Sequence, residues 1–386
     1  MTHSKTISLA LLAAVVVFAA ITPAILLTAP AVATQLATQL HLSPKQIGDL
    51  FSVELGAMSL ATLPSFWWLK RVDWRRAALL AGVLFIAANL ASSMVSDYQA
   101  LLGLRMFSAL SGGSLMILCL SCAGLMPNPS RAYGIWVLGQ LVVGAIGLAL
   151  LPRLFERYGL GAGYLMLAGL MLLSLPLVRA FPGPHQTRRS SVQSATHLPR
   201  YKTVAALLGL LGFYIALSAV WTFVGSIANQ AGLDAQASGD ILAVATLLGI
   251  AGASCATLIG DRWRRDLLLC SGFAMMVTAV LLLLDHPQVL RFTLAVLLFK
   301  FTWTYVLPFI LASLVELDSS GRLMSISNLV IGAGLALGPA MGGRLIHDDG
   351  SVHTLLFVSA VMTVSSLLLT LGGRPRTVAP PLPQSL

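Results

Sequence analysis

Charged side chains are scarce in this sequence. Only 10% of its 386 residues are Asp, Glu, Lys or Arg, whereas a soluble domain carries about 25%. So few ionisable groups cannot cover the surface of a chain of this length in water, which excludes a soluble enzyme. The apolar fraction of 57% indicates a lipid environment instead.

Cysteine is also rare, and motifs for metals or nucleotides are missing. All four cysteines lie in apolar stretches, which excludes a secreted disulfide framework. Cys119 and Cys122 have no matching ligand cluster elsewhere in the sequence, and no Walker-type phosphate loop occurs. We therefore expect no metal site, no cofactor and no ATPase activity.

Long apolar runs make up most of the chain. A hydrocarbon core about 30 Å thick needs roughly 20 apolar residues per helix. Runs such as 9–20 do not alternate apolar and polar residues, which favours α-helices over a membrane β-barrel. We predict an all-α membrane protein with twelve transmembrane helices. They lie at about residues 7–36, 44–68, 77–95, 98–126, 131–152, 160–181, 203–230, 235–259, 267–284, 289–315, 322–346 and 352–371.

The basic residues predict the orientation of the chain. If the N-terminus is cytoplasmic, most of the 24 Lys and Arg residues fall in cytoplasmic segments, as the positive-inside rule requires. The net charge of +10 is then a topology signal rather than a nucleic-acid-binding patch. We expect a monomeric, multi-pass protein of the inner (cytoplasmic) cell membrane, with both termini in the cytoplasm and no nucleic-acid partner.

An internal repeat divides the chain into two parts. At a constant separation of 191 residues, Asp49 matches Asp240 and Arg153 matches Arg344. Two parallel repeats suit alternating access, in which two bodies rock around a site between them. We expect two pseudo-symmetric six-helix halves at 1–181 and 203–372, a cytoplasmic linker at 182–202 that is rich in Pro, Ser and Arg, and a cytoplasmic tail at 373–386.

Several motifs resemble those of the major facilitator superfamily. Leu42-Ser43-Pro44 through Gly48 opens the second span, basic loops follow spans two and eight, and Arg105 lies early in span four. The resemblance covers the whole chain. It implies the twelve-helix fold of that family, a transport function, and a cavity lined by spans one, four, seven and ten.

The resemblance also implies gating residues. The family's loop signature runs roughly Gly-x-x-x-Asp-Arg-x-Gly-Arg-Arg, and both loops here keep part of it. Span eleven carries a glycine-proline pair like the one that antiporter members carry in helix five, which suggests a flexing interface helix. Positive-inside anchoring alone is the alternative for the basic loops. The gating candidates are Asp73, Arg75, Arg76, Asp261, Arg262, Arg264, Gly338 and Pro339.

Glu54 and Arg105 are charged side chains inside predicted spans, where burial costs about 2.5–3.5 kcal/mol. The repeat counterpart of Glu54 is Ala245, and this asymmetry favours a functional role for the carboxyl group. We expect Glu54 to bind and release a proton as access alternates. Arg105 resembles the family's coupling arginine. A Glu54 that is only hydrogen-bonded between helices is the alternative.

A third intramembrane charge, Lys300, indicates a substrate site. Trp303 and Thr304 share its helical face at i+3 and i+4. Snorkelling of Lys300 and ordinary aromatic packing are the alternatives. The substrate-site candidates on spans one, seven and ten are Thr22, Tyr214, Ser218, Trp221, Lys300, Trp303 and Thr304.

These features predict a secondary active transporter of a small organic solute. Two buried cations against one buried acid favour an anionic or zwitterionic solute, and Glu54 favours proton coupling. A proton-driven efflux carrier for amphipathic drugs or metabolites is the alternative. A membrane-embedded receptor or enzyme would need a catalytic cluster or a large appended domain, and the sequence has neither.

Overall fold

The regular elements of the chain are helical. The computed structural model describes residues 2–182, 200–260, 262–317, 322–347 and 350–373. Within these ranges no β-strand occurs, which confirms the predicted all-α class. The helices are α1 (Thr2–Ile21), α2 (Ala24–Leu27), α3 (Ala29–Gln39), α4 (Pro44–Leu60), α5 (Thr62–Trp68), α6 (Trp74–Ser93), α7 (Tyr98–Gly124), α8 (Pro129–Tyr158), α9 (Gly161–Ser174), α10 (Arg200–Gln230), α11 (Ala235–Ile259), α12 (Arg265–Leu281), α13 (Val289–Leu317), α14 (Arg322–Leu345) and α15 (His353–Gly372), with a 3₁₀ segment, Leu175–Ala180, after α9.

The expected spans are not all continuous. In the described part of the chain, nine helical segments are long and apolar enough to cross a membrane. The first expected span is instead divided at Thr22-Pro23 and at Thr28, and the second at Ala61, while α12 has only 17 residues. Proline explains the interruption in the first span, because it cannot donate to the helical ladder.

Cap residues set the starts of α4 and α11. Ser43 and Gln46 form a capping box, in which each side chain bonds the other's backbone N–H. Asp234 Oδ1 accepts a hydrogen bond of 2.7 Å from the backbone N–H of Ala237. Polar loop residues therefore fix where these two apolar helices begin.

Successive spans run in opposite directions, so the helix ends gather in two sets. We name the set that includes both ends of the described chain the terminal face, and the other the distal face. The terminal face lies near residues 68–74, 124–129, 259–265 and 317–322, and the distal face near 39–44, 93–98, 158–161, 230–235, 281–289 and 345–353. We name residues 2–182 the first half and residues 200–373 the second half.

The halves pack tightly near the distal face. They meet where α3 contacts α10, α4 contacts α14, and α8 contacts α11. A side chain at Gly48 would overlap the carbonyl oxygen of Pro339, and one at Gly343 would overlap that of Pro44. Glycine is thus required for this close approach of α4 and α14.

Toward the terminal face, a groove separates the halves. It has a volume of about 750 Å³ and lies between α8 of the first half and α11 and α13 of the second. Its lining is mainly apolar, with Arg131 at the end that reaches the terminal face. The structure therefore closes the interface at the distal face and leaves this groove toward the terminal face, while α4 and α14 remain in contact as far as Ser59 and Gly332.

Candidate functional site

An ion pair is buried inside the first half. Arg105 Nη1 of α7 lies 3.6 Å from Glu54 Oε1 of α4. Arg105 is 0% exposed and Glu54 is 5% exposed. An isolated charge buried to this depth would cost several kcal/mol, so each residue compensates the other. The structure thus brings the two candidate proton-coupling residues together.

Two further side chains, which the sequence did not indicate, hold Arg105 in place. Arg105 Nη2 donates a 3.0 Å hydrogen bond to Asn89 Oδ1 of α6, and its Cζ lies 4.5 Å from the ring centroid of Tyr164 of α9. Asn89 Nδ2 in turn donates to Ser108 Oγ at 2.9 Å. Asn89 could have been noticed in the sequence because it is a lone asparagine in the apolar run of α6. No sequence pattern singles out Tyr164.

The Glu54 carboxylate has one oxygen without a partner. Its Oε2 accepts no hydrogen bond from any residue that the structure describes. Arg105 has two further contacts that do not involve Glu54, the bond to Asn89 and the ring of Tyr164. Glu54 is the member of the pair that can take up a proton, because the guanidinium of Arg105 is already protonated.

Lys300 of α13 lies between two indole rings. Its Nζ is 3.5 Å from the ring centroid of Trp221 and 4.2 Å from that of Trp303. The residue is 3% exposed, and no carboxylate among the described residues forms an ion pair with it. Phe299 stacks on Trp221 at a centroid distance of 6.4 Å. The result is an aromatic site around one ammonium group.

Trp221 connects this site to the first half. Its Nε1 donates a 3.0 Å hydrogen bond to the carbonyl oxygen of Leu26 in α2. The ammonium of Lys300 therefore lies against a side chain that bridges the two halves. Three of the substrate-site candidates, Lys300, Trp221 and Trp303, form one cluster at the interface.

Ser218 and Thr304 use their hydroxyl groups in helix packing. Ser218 Oγ donates to the carbonyl of Gly334 in α14 at 3.2 Å. Thr304 Oγ1 donates to the carbonyl of Gly249 in α11 at 2.6 Å. Tyr214 is buried, and its ring meets Phe213 edge-on at 5.7 Å. The Ser218 and Thr304 hydroxyls thus bond backbone carbonyls of neighbouring helices, whereas the Tyr214 side chain forms a hydrogen bond with Trp303 of the Lys300 cluster.

Thr22 lies at the interruption of the first span. Helix α1 ends at Ile21 and α2 begins at Ala24. Thr22 is buried, and its Oγ1 lies 4.0 Å from the Sδ of Met116 in α7. Its described contact is therefore within the first half.

The candidate gating loops bond within their own halves. Asp73 caps α6 by accepting from the backbone N–H of Arg75 at 2.8 Å and of Arg76 at 3.4 Å. Arg75 Nε donates to the carbonyl of Phe181 at 2.7 Å. Three further gating candidates belong to the basic loop of the second half. Arg262 bonds the carbonyl of Leu258, Arg264 precedes α12, and Asp261 lies outside the described residues.

Helix α14 carries the other two gating candidates at the junction of both halves. A side chain at Gly338 would overlap Ser218 Oγ of α10, within the second half. The carbonyl of Pro339 faces Gly48 of α4, across the interface. This glycine-proline pair therefore lies where a change of angle in α14 would alter the contact between the halves.

Two ion pairs join the halves at the distal face. Arg344 Nη1 of α14 lies 2.6 Å from Asp49 Oδ1 of α4, and Arg153 Nη2 of α8 lies 3.5 Å from Asp240 Oδ2 of α11. The repeat relates Asp49 to Asp240 and Arg153 to Arg344. Each ion pair therefore joins the acid of one half to the arginine of the other. Sequence reasoning matched them but did not identify them as partners, because a match between halves does not reveal a contact.

A protein family and a bacterial relative match most of this chain. The family model described as Major Facilitator Superfamily matches residues 7–320. An uncharacterised MFS-type transporter of Bacillus subtilis (strain 168), YbcL, is 21% identical over 359 residues, which cover 89% of this chain and 90% of that protein.

Solved structures of transporters share the fold. A bacterial homologue of the human lysosomal transporter Spinster, in an inward-facing and unoccupied conformation, gives a TM-score of 0.69 at 14% identity, covering 97% of this chain and 99% of that one. A point mutant of the nucleoside transporter NupG gives 0.71 at 10% identity, covering 95% and 98%. The POT family transporter PepTSo gives 0.72 at 11% identity, covering 94% and 97%. With the family model matching most of its length, this chain belongs to the Major Facilitator Superfamily and is a multi-pass membrane transporter rather than an enzyme.

Proposed function

We propose that this transporter moves a small organic acid or zwitterion and couples its movement to protons. The observation that carries the proposal is the buried Lys300 ammonium, which contacts aromatic rings and has no carboxylate partner among the described residues. Through Trp221 this ammonium lies against the first half. An anionic solute bound there would touch both bodies that move.

The energetics of Lys300 support an anionic ligand. Removing an ammonium from water costs several kcal/mol. Cation–π contacts return about 2 kcal/mol each when desolvated, so two rings offset only part of that penalty. A carboxylate would complete the compensation through a charge-assisted hydrogen bond. The aromatic rings leave apolar surface for the remainder of a small organic solute.

Glu54 is the proposed proton site. It lies within the first half, whereas Lys300 belongs to the second, so the proton would bind inside one body and the solute between the two. Protonation removes the charge that pairs with Arg105 and so changes the electrostatics inside the first half. Arg105 stays in place through Asn89 and Tyr164.

The transport cycle would alternate closure between the two faces. In this structure the pairs Asp49–Arg344 and Arg153–Asp240 hold the distal face closed. We propose that the basic loops around Asp73 and Arg262 latch the terminal face in the opposite conformation. The two predicted six-helix halves would rock as bodies, in a monomer of the inner membrane whose terminal face, with both termini, is cytoplasmic.

A proton-driven efflux carrier for amphipathic compounds is the second candidate. The groove between α8 and α11 favours it, because its apolar walls lie at the interface of the halves. A solute dissolved in the bilayer would reach such a groove from the side. This candidate requires no preference for anions.

Binding of matched acids and amines tests the proposed solute class. The purified full-length protein would be titrated calorimetrically with succinate against 1,4-diaminobutane and with benzoate against benzylamine. We expect at least one acid to bind about tenfold or more tightly than the amine of the same pair, which is about 1.4 kcal/mol. Equal binding, or tighter binding of the amines, would instead favour the amphipathic efflux carrier.

A further inference from the structure

Two prolines interrupt the backbone ladder of the first span. In a continuous helix the N–H of residues 23 and 30 would donate to the carbonyls of Ala19 and Leu26, four residues earlier. Pro23 and Pro30 have no N–H to give. A carbonyl left without a donor at membrane depth costs free energy, so such groups are normally bonded from elsewhere in the protein.

Side chains from two different helices bond these two carbonyls. Gln140 Nε2 of α8 donates to the carbonyl of Ala19 at 2.9 Å. Trp221 Nε1 of α10 donates to the carbonyl of Leu26 at 3.0 Å. In both bonds a side-chain N–H donates to a backbone carbonyl whose helical donor is replaced by proline, and their lengths are 2.9 and 3.0 Å. They differ in one respect, since Gln140 belongs to the same half as the first span and Trp221 belongs to the other.

The surroundings of Trp221 place its bond at the closed part of the interface. Gly225, one helical turn closer to the distal face, packs directly against Pro30 and Thr34 of the first span. The Lys300 ammonium lies over the face of the Trp221 ring. Separation of α10 from the first span at the distal face would therefore break the Trp221–Leu26 bond and leave the Gln140–Ala19 bond intact.

We propose that Trp221 is a positioning residue that ties the interrupted first span to the Lys300 site while the distal face is closed. Its indole ring forms one wall of the solute site, and its N–H holds the backbone of the opposite half. Rocking of the halves makes or breaks this bond, so the wall of the solute site and the distal closure move together. The proposal rests on the alternating access proposed above and is independent of which solute is carried.

A labelling experiment on the full-length protein in detergent tests this tie. Ser238 of α11 is 5% exposed and lines a pocket between the halves at the distal face, so a Ser238→Cys thiol becomes accessible when that face opens. The background replaces the four native cysteines by Ala. Trp221→Phe keeps an aromatic ring and removes the donor, and Gln140→Leu is the matched control, which removes the equivalent bond within one half.

We expect Trp221→Phe to raise the rate of labelling by a water-soluble maleimide about three- to twentyfold, the range expected for one hydrogen bond between membrane helices. Gln140→Leu should lower the thermal unfolding temperature and leave the labelling rate within about twofold of the parent. An unchanged rate in Trp221→Phe, or an equal increase in Gln140→Leu, would overturn the proposal. Failure of the wild type to prefer acids would refute the solute class without altering this labelling result.

Discussion

Lys300→Met is expected to weaken the binding of organic acids about ten- to a hundredfold and to leave the binding of matched amines nearly unchanged. A hydrogen bond to a charged group contributes about 1.5–3 kcal/mol, and every 1.4 kcal/mol is tenfold in affinity. Methionine keeps most of the length of the side chain against Trp221 and Trp303 and removes the charged donor. Calorimetric titration with succinate, 1,4-diaminobutane, benzoate and benzylamine measures the effect.

Two further variants separate the charge at this site from charge in general. Lys45→Met removes an exposed positive charge at the distal face and should leave acid binding within about twofold. Lys300→Arg keeps a cation between the same rings and should retain a preference for acids. Equal loss of acid and amine binding in Lys300→Met would contradict an anion site and would indicate a role in packing.

Glu54→Gln is expected to reduce solute accumulation driven by a pH gradient to about a tenth or less, while exchange of labelled for unlabelled solute continues. Glutamine preserves the shape of the side chain but cannot bind and release a proton. Exchange requires no net movement of protons, so it does not depend on this group. The measurement is uptake into proteoliposomes with an imposed pH gradient, using the acid of the panel that binds most tightly.

The matched control for this variant is Glu156→Gln. Glu156 lies on α8, is exposed, and undergoes the same chemical change. It should leave accumulation unaltered within about twofold. The protonation of a carboxylate that is in contact with water does not depend on which face of the transporter is open. If Glu54→Gln accumulates solute with unchanged pH dependence, Glu54 is not the proton site.

Periodicity and scarcity of charge predicted much of the fold and part of the candidate site. Apolar runs of about 20 residues predict membrane helices because the bilayer fixes the required length. Glu54, Arg105 and Lys300 stood out because so few charges lie within those runs. Trp303 followed from helical spacing, since residues three apart share a face. In each case one local rule was sufficient.

The contacts between distant helices could not be predicted in the same way. Asn89 and Tyr164 reach Arg105 from α6 and α9, and no local pattern relates their positions. Ser218 and Thr304 share a helix face with the site residues, yet each hydroxyl bonds a neighbouring backbone carbonyl. Helical spacing predicts which face of a helix a residue lies on, but not which group of a neighbouring helix it contacts.

The ion pairs at the distal face could not be predicted from the sequence either. The repeat matched Asp49 with Asp240 and Arg153 with Arg344, but the ion pairs join Asp49 to Arg344 and Arg153 to Asp240. An axis between two parallel halves brings the second helix of one half against the fifth of the other, and a comparison of sequences does not contain that geometry. The loop motifs predict gating charges at the terminal face, whereas the two ion pairs seen between the halves in the described residues lie at the distal face.

Alternating closure of the two faces is tested most directly by pairwise distances between spin labels in nanodiscs. Exposed positions suit the labels, with Met94 and Leu290 across the distal face and Leu125 and Trp263 across the terminal face. Exposed ion pairs contribute about 0.2–1 kcal/mol each, so Asp49→Asn with Asp240→Asn should shift the equilibrium about two- to thirtyfold toward distal opening. We predict that the distal distance then lengthens while the terminal distance shortens. Unchanged distances, or changes of the same sign at both faces, would contradict alternating access in this protein.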